Sequence, residues 1–319
     1  MSLRKTLAPT AVGILLLAAL AVAPAAPVVA QEVVQDEGAA YRAWHAASQA
    51  GDNAKALAAA KEYLEKYPTG QYADFIKKWL GPAQMAALDA AIKEKRTADA
   101  LAVGKEILAA DPENLNVVYA LASQVRAEVL GRPPVWDNAA AGVEYAKKGI
   151  AMVDSGKTLA GVSTFDKNAT LAWMTQLVAV VDHKNGNVAE ALQGYEKSTA
   201  YAPGDVLIAG QNLRRVVAIR QNAYGEAVKA YNALPEADRG APEPNEAVKA
   251  ARAKLNAEAD AYIDAAAAFV AFGRAKNLPA TAVDPVNQTL ETVYKSRFPE
   301  DATLDGLKKV LAAKGLPAA

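Results

Sequence analysis

Four segments of the chain repeat one pattern, in which a polar turn precedes a small residue and a proline follows. The pattern recurs in residues 50–68, 94–112, 184–203 and 220–235. Its small residues are Ala56, Ala100, Ala191 and Ala227. A small residue lets two helices approach closely, and the residue four positions later lies on the same helix face. The proline ends the helix, because the residue before a proline disfavours helical backbone. The pattern therefore predicts repeated helical hairpins that must stack to bury their apolar faces.

The rest of the chain also favours helices, because no run of alternating β-branched residues persists in the sequence. Gly, Pro, Asn and Asp mark the predicted breaks between helices. These breaks are Gly51-Asp52, 67–70, Gly81-Pro82, 111–114, 131–134, Asn185-Gly186, 202–204 and 235–244. Asp111, Asp137 and Asp205 are predicted to cap helices or to stabilise turns. The sequence thus predicts an all-α fold.

The segment "NGNVAEALQGYEKSTAYAPGD" resembles the tetratricopeptide repeat family. The residues at the family's spacing are Gly186, Ala191, Tyr195 and Pro203. A further unit, 139–155, is predicted to use Ala141 and Tyr145 in the two helix-face roles. The resemblance implies a right-handed α-solenoid of divergent hairpins over residues 39–235. The remaining C-terminal region, 236–319, is predicted to be a helical cap, with helices at 244–277, 285–299 and 303–315.

An aromatic stretch, "EYLEKYPTGQYADFIKKWLG", occupies residues 62–81. It resembles hairpin junctions of periplasmic tetratricopeptide proteins that act in envelope assembly. The matching residues are Tyr67, Pro68, Tyr72, Ala73 and Asp74. Helical spacing predicts that Tyr72, Phe75, Ile76 and Trp79 form one apolar stripe. We therefore interpret the stretch as a hairpin junction with a packing role.

The N-terminal residues have the pattern of an export signal. Arg4 and Lys5 precede an apolar run over residues 7–23, and small residues at 28–30 would allow cleavage before Gln31. The sequence therefore predicts a cleavable signal peptide at 1–30, a flexible start at 31–38, and a periplasmic or secreted protein. An uncleaved membrane anchor is the alternative. After cleavage, no stable membrane insertion is expected.

Composition excludes several classes of function. Cysteine is absent, which excludes disulfides and thiol catalysis. Basic and acidic residues are equal at 35 each, so no strong overall field recruits nucleic acid. The two histidines, His45 and His183, have no partner histidine at metal-ligand spacing. We therefore expect no metal or other cofactor and no nucleic-acid partner.

One string, "AMVDSGKT" at residues 151–158, resembles a phosphate-binding loop. Such a loop requires a preceding strand, whereas the preceding residues have a helical pattern. Gly156 and Lys157 are therefore predicted to end a helix instead.

In tetratricopeptide proteins, the first helix of each hairpin lines a groove that binds a partner. By this resemblance, the candidate groove residues are Trp173, Gln176, His183, Lys184, Asn212 and Arg220. The alternative is that Trp173 belongs to the core and the others to ordinary surface. The family's clamp of Lys and Asn residues is not reproduced, so specificity for a peptide C-terminus does not follow.

The sequence therefore predicts an exported, non-enzymatic scaffold that binds a protein or peptide in the bacterial envelope. One alternative is a hydrolase or transglycosylase of envelope polymers, which would have two convergent carboxylates in a cleft, one of them buried. Another is a module that binds small molecules or polymers through exposed aromatic residues or an enclosed apolar pocket. The sequence leaves the oligomeric state open.

Overall fold

The computed structural model describes residues 28–315, and every regular element in this range is helical. The predicted all-α class is therefore confirmed for this part of the chain. Its helices are α1 (Val28–Gln49), α2 (Asn53–Lys66), α3 (Ala73–Lys93), α4 (Thr97–Ala110), α5 (Leu115–Val129), α6 (Ala139–Asp154), α7 (Lys167–Lys184), α8 (Val188–Tyr201), α9 (Ala209–Asn232), α10 (Glu236–Arg239), α11 (Glu246–Ala275), α12 (Ala280–Arg297) and α13 (Asp305–Ala313). Within 28–315, no helix is long and apolar enough to cross a membrane.

Packing divides the chain into two compact units, with the boundary between Gln84 and Met85, inside α3. We call them unit 1 and unit 2. The packing does not divide the chain at residue 235, because Val217 of α9 shares one core with Tyr262 and Ile263 of α11. Helix α9 therefore belongs with the C-terminal helices as much as with the hairpins before it.

The N-terminal predictions fall only partly within the described residues. Residues 1–27 of the predicted signal peptide lie outside them, and residues 28–30 begin α1. The segment predicted as a flexible start, 31–38, is part of the same helix. Glu37, near the end of this segment, ties the helix to α2, since its side chain accepts a hydrogen bond from the Tyr63 hydroxyl.

The core of unit 1 forms where α1, α2 and the first part of α3 meet. It contains Trp44, Ala47, Ala56, Ala60, Tyr63, Ala73 and Ile76. The predicted turn between α1 and α2 is present: Gly51 has a φ of 71°, and the carboxylate of Asp52 accepts a hydrogen bond from the N–H of Lys55. Asp52 thereby satisfies one of the free N–H groups at the start of α2.

The predicted packing role of the stretch 62–81 is confirmed for most of its aromatic residues. Tyr63 and Ile76 are fully buried, and Tyr72 and Trp79 are half-buried. Phe75 differs, because 58% of it is exposed, although its ring packs against Trp44 in a T-shaped geometry. The spacing of the stripe was therefore helical as predicted, but Phe75 lies at its solvent edge.

The Tyr63 hydroxyl joins three segments of unit 1. It donates to the carboxylate of Glu37 and accepts a hydrogen bond from the N–H of Tyr72 at 3.1 Å. Burial, followed by the hydrogen bond to Glu37, raises the pKa of Tyr63 to about 12. An unfolded tyrosine titrates at about 10. The protonated hydroxyl therefore stabilises the fold fully below about pH 10, and this stabilisation is lost as the pH rises through about 12.

Replacing Tyr63 with phenylalanine is expected to lower the free energy of unfolding by about 1.5 kcal/mol, because two hydrogen bonds are lost. Urea unfolding followed by circular dichroism measures this loss. Tyr67→Phe is the matched control, since the hydroxyl of Tyr67 forms no hydrogen bond with a described residue. An alkaline absorbance titration of Tyr63→Phe should also contain one tyrosine fewer among those with a pKa of about 12. Equal stability of the two variants would contradict the role given to this hydroxyl.

Two predicted breaks in the helices are wrong. Gly81-Pro82 lies inside α3, and the polar turn predicted at the start of 220–235 lies inside α9. Buried residues lie on both sides of each position, as with Ile76 and Leu88 around Pro82. Each helix therefore continues through the local signal for a turn, with buried residues before and after it.

The register predicted for α6 is also wrong by one position. Ala141 and Tyr145 are only half-buried, whereas Gly142 and Ala146 are buried. Gly142 packs so closely on Val125 of α5 that an added Cβ would lie 2.3 Å from a Val125 methyl group. The residue at the close contact is therefore the glycine, and not the alanine before it.

The helix end predicted within 151–158 is confirmed. Helix α6 ends at Asp154, Gly156 has a φ of 95°, and the N–H of Lys157 donates to the carbonyl of Met152. This is the glycine-terminated helix end that satisfies the last carbonyl groups. The Lys157 ammonium group pairs with the carboxylate of Glu113.

The predicted caps are partly correct. The carboxylate of Asp205 accepts hydrogen bonds from the N–H groups of Leu207 and Ile208, as predicted for a turn residue. The carboxylate of Asp111 likewise accepts a hydrogen bond from the N–H of Glu113 in its turn, while the side chain that caps α5 belongs to Asn114. The three C-terminal helices α11, α12 and α13 correspond to the three predicted ones.

Candidate functional site

Helices α5 to α9 of unit 2 pack against their neighbours in the chain: α5 on α6, α6 on α7, α7 on α8, and α8 on α9. Helix α5 also contacts α7 directly. The buried residues of these helices form one continuous apolar cluster, which includes Val125, Leu177 and Tyr195. Successive hairpins therefore share a core, and the residues near α5, α7 and α9 are brought together.

A buried chain of polar side chains connects these helices. The guanidinium group of Arg126 on α5 donates to the side-chain oxygen of Gln176 on α7, at 2.7 Å. The amide of Gln176 donates to the side-chain oxygen of Asn212 on α9, at 2.9 Å. Asn212 in turn donates to the Ser198 hydroxyl at 2.8 Å, and Ser198 donates to the carbonyl of Ala172 at 2.7 Å. We call this chain the polar relay.

Three of the predicted groove residues are therefore buried, which corrects the prediction that they face a partner. Gln176 and Asn212 have no exposed surface, and Trp173 is only 9% exposed. Helix α7 is buried almost all round, so its polar residues face other helices instead of solvent. Gln176 and Asn212 belong to the polar relay, while Trp173 packs edge-on against Tyr119.

A cavity of about 450 Å³ opens between the end of α5, the loop that follows it, and α9. The loop contributes Arg132 and Trp136, and α9 contributes Gln211, Arg214 and Arg215. Its other lining residues are apolar or glycine, and none of the lining residues carries a carboxylate. We call this cavity the arginine pocket.

The cations of the arginine pocket lack acidic partners. Neither Arg132 nor Arg214 forms an ion pair with a described residue. Lys184 adds a further positive charge, because its ammonium group lies 5.6 Å from the centroid of the Trp136 ring. Three arginines and a nearby lysine, with no carboxylate in the lining, give the wall of the pocket a positive charge, which suits an anionic ligand.

Arg126, at the start of the polar relay, is a further cation on α5, although it is not one of the residues that line the pocket. Arg126 lies four residues before Leu130, which lines the pocket. The two residues therefore lie on the same face of the end of α5. Its guanidinium group lies 5.9 Å from the centroid of the Trp173 ring, and its Nε atom is buried without a hydrogen-bond partner. Burial lowers the pKa of Arg126, an effect that the charge of Asp205 opposes. The polar relay therefore ends in a guanidinium group in which one N–H donor, at Nε, has no hydrogen-bond acceptor.

His183 lies near enough to Arg215 to be affected by its charge. Its ring packs edge-on against Tyr195, with the two ring centroids 6.4 Å apart. Burial lowers the pKa of His183, and the nearby charge of Arg215 lowers it further. Both effects favour the neutral imidazole, so His183 adds no positive charge near neutral pH.

Arg220, the last predicted groove residue, is remote from the arginine pocket. Pocket residues Gln211, Arg214 and Ala218 lie on one face of α9, whereas Arg220 lies with Leu213 and Val216 on the opposite face. There it lines a second cavity, of about 410 Å³, between α8, α9 and α11. The six predicted residues are therefore not brought together in one groove.

The sequence prediction missed the cations that line the arginine pocket. Arg132 and Trp136 occur in the loop string "GRPPVW", and Arg214 and Arg215 occur together in "QNLRRVV". Two signals were available in the sequence: a cation with an aromatic residue in a proline-rich loop, and a pair of arginines on a helix. The sequence pattern does not show that the loop and α9 face the same cavity. Only the fold shows this.

The hydrolase alternative requires two convergent carboxylates, one of them buried, and neither the arginine pocket nor the second cavity has this arrangement. Two carboxylates, of Glu196 and Asp264, line the second cavity, but both side chains are exposed. Among the described residues there is also no group of three or more His, Asp and Glu side chains that could hold a metal ion. The arginine pocket is thus the best-defined candidate site.

Comparison of the chain with models of protein families, with curated proteins and with solved structures finds no match. Its function is therefore inferred from its own residues.

Proposed function

We propose that the chain is an exported, non-enzymatic, tetratricopeptide-like scaffold whose arginine pocket binds an acidic segment of a protein partner in the bacterial envelope. The observation that carries this proposal is the lining of the pocket, with three arginines and no carboxylate.

The packing of α5 to α9 supports the repeat-like part of the proposal. Ala191 and Tyr195, the two helix-face positions of the best-matching segment, are fully buried. Gly186, in the turn before them, has a φ of 85°, a conformation that glycine adopts easily. Each hairpin contacts the next, as stacked repeats require. We propose that this succession is the right-handed α-solenoid that the family resemblance implies.

The chemistry of the pocket supports an acidic protein segment as its ligand. A guanidinium group can donate two parallel hydrogen bonds to one carboxylate, which gives both energy and orientation. Trp136 offers an aromatic surface beside these cations, and tryptophan and arginine are enriched among the residues that dominate protein interfaces. Unpaired cations also accelerate association with an acidic partner. The pocket therefore combines the residue types that anchor a carboxylate-bearing segment.

Binding of a fluorescent peptide rich in Asp and Glu, measured by anisotropy, tests the proposal. The double variant Arg132→Gln and Arg214→Gln is expected to bind at least about tenfold more weakly, because each arginine loses charge-assisted hydrogen bonds. A peptide in which Gln and Asn replace the acidic residues is expected to bind the wild type as weakly as the acidic peptide binds the double variant.

The matched control is the double variant Arg252→Gln and Arg274→Gln, which removes the same charge from α11. It should change the affinity less than about twofold, since screening weakens distant surface charges at physiological salt. Equal losses in the two double variants would mean that only net charge matters. That result, or an unchanged affinity in the pocket variant, would contradict the proposal.

A further inference from the structure

The second cavity, on the opposite side of α9 from the arginine pocket, has a mainly apolar lining. Leu213 and Val216 of α9 contribute to it, and one wall is a face of α11 with Ala261, Ala265 and Ala268. Small-molecule sites in proteins are apolar cavities of about 300–1,000 Å³ with a few polar groups. At about 410 Å³, this cavity falls within that range. We call it the alanine cavity.

The alanine cavity also contains one unpaired cation and one unpaired anion. Arg220 of α9 and Glu196 of α8 both line it, and neither forms an ion pair or a hydrogen bond with a described residue. The third charged residue, Asp264 of α11, is already balanced, since its carboxylate accepts from the Lys314 ammonium group at 2.7 Å. The cavity therefore presents one free charge of each sign beside an apolar surface.

We infer that the alanine cavity binds a small zwitterion with apolar side chains, that is, a short apolar peptide with free termini. The carboxylate of such a ligand pairs with Arg220, and its ammonium group pairs with Glu196. The apolar side chains lie against Leu213, Val216 and the alanines of α11.

Other classes of small ligand fit this lining less well. An uncharged apolar ligand would gain nothing from Glu196 and would further desolvate the half-buried Arg220 without giving it a partner, which costs free energy. A ligand with only an anionic head would bring a second negative charge near Glu196, and a cationic one would bring a second positive charge near Arg220. A zwitterion alone balances both charges, and charge complementarity of this kind gives specificity.

The test is isothermal titration calorimetry of the full chain with three probes. They are the dipeptide leucyl-leucine, its N-acetyl form, which lacks the ammonium group, and its amide, which lacks the carboxylate. Leucyl-leucine is expected to bind, and each blocked form is expected to bind at least about tenfold more weakly, since one charge-assisted contact is lost. Failure of leucyl-leucine to bind, or equal affinity for all three probes, would overturn the inference.

Two charge variants assign the contacts. Arg220→Gln should weaken leucyl-leucine at least about tenfold while leaving the affinity for the dipeptide amide nearly unchanged, because the amide has no carboxylate to lose. Glu196→Gln should likewise weaken leucyl-leucine at least about tenfold, while its affinity for the N-acetyl form should be nearly unchanged, because that form has no ammonium group to lose. If both variants bind leucyl-leucine as the wild type does, the charges are not part of a site and the inference fails.

Two further variants separate this site from the arginine pocket. Arg214 lies on the other face of α9, so Arg214→Gln should leave the binding of leucyl-leucine unchanged. Ala265→Phe fills the cavity and should abolish binding of leucyl-leucine, provided that circular dichroism shows an intact fold. Loss of binding in Arg214→Gln, or retention of binding in folded Ala265→Phe, would place the ligand elsewhere and overturn the inference.

Discussion

Replacing Gln176 with leucine is expected to lower the free energy of unfolding by about 3–5 kcal/mol. Leucine is similar in volume, so little of this loss comes from a cavity. The loss comes instead from the polar relay, because Arg126 and Asn212 would both lose a buried partner. Arg126 is half-buried, and a guanidinium group that loses its acceptor in such a position incurs part of the cost of desolvating a charge.

Urea unfolding followed by circular dichroism measures the effect. Gln211→Leu is the matched control, because Gln211 is exposed on α9, and it should change stability by less than about 0.5 kcal/mol. The double variant Gln176→Leu and Arg126→Met should recover part of the loss, since an apolar pair can replace a buried polar one at little cost. A loss below about 1 kcal/mol for Gln176→Leu alone would show that the relay is not needed for stability.

Replacing Gly194 with alanine is expected to lower the free energy of unfolding by about 3 kcal/mol. An added Cβ would lie 2.7 Å from the Cβ of Ala179, a distance that real contacts essentially never show. Ala179 has no side-chain torsion through which it could move away, so the backbones of α7 and α8 must separate. This separation would disturb the core that both helices share.

An exchange of the two residues tests this explanation. Ala179→Gly in the background of Gly194→Ala removes the clashing methyl group and should restore most of the stability. Gly225→Ala is a matched control in α9, where an added Cβ meets no atom within 4 Å. It should instead raise stability by about 1 kcal/mol, through the greater helix propensity of alanine. A Gly194→Ala protein as stable as the wild type, by thermal or urea unfolding, would contradict the close contact.

The helices were predictable where local sequence alone determines the structure. Ala191 marks a close helix contact because it is small. Gly186 marks a turn because glycine adopts its positive φ easily. The prediction failed where distant residues decide the outcome. Pro82 removes one backbone hydrogen bond from α3, yet the helix continues.

The candidate site was less predictable than the helices, for a similar reason. Gln176 and Asn212 are polar, so a pattern based on residue type assigns them to the surface. Their burial depends on hydrogen-bond partners that are 50 and 36 positions apart in the chain. No local window of sequence contains both members of such a pair. Arg132 and Arg214 were missed likewise, because only the fold brings them to one cavity.

The polar relay has a consequence for how this protein can change over evolutionary time. In a repeat protein each unit contacts only its neighbours, so a whole unit can in principle be removed without breaking contacts between the others. Here α5, α7, α8 and α9 contribute different members to one hydrogen-bonded chain. Deleting the hairpin of α7 and α8 would remove Gln176 and Ser198 together and leave Arg126 and Asn212 without these partners. Shuffling of whole hairpins is therefore restricted in this part of the chain, where change must proceed through coordinated substitutions.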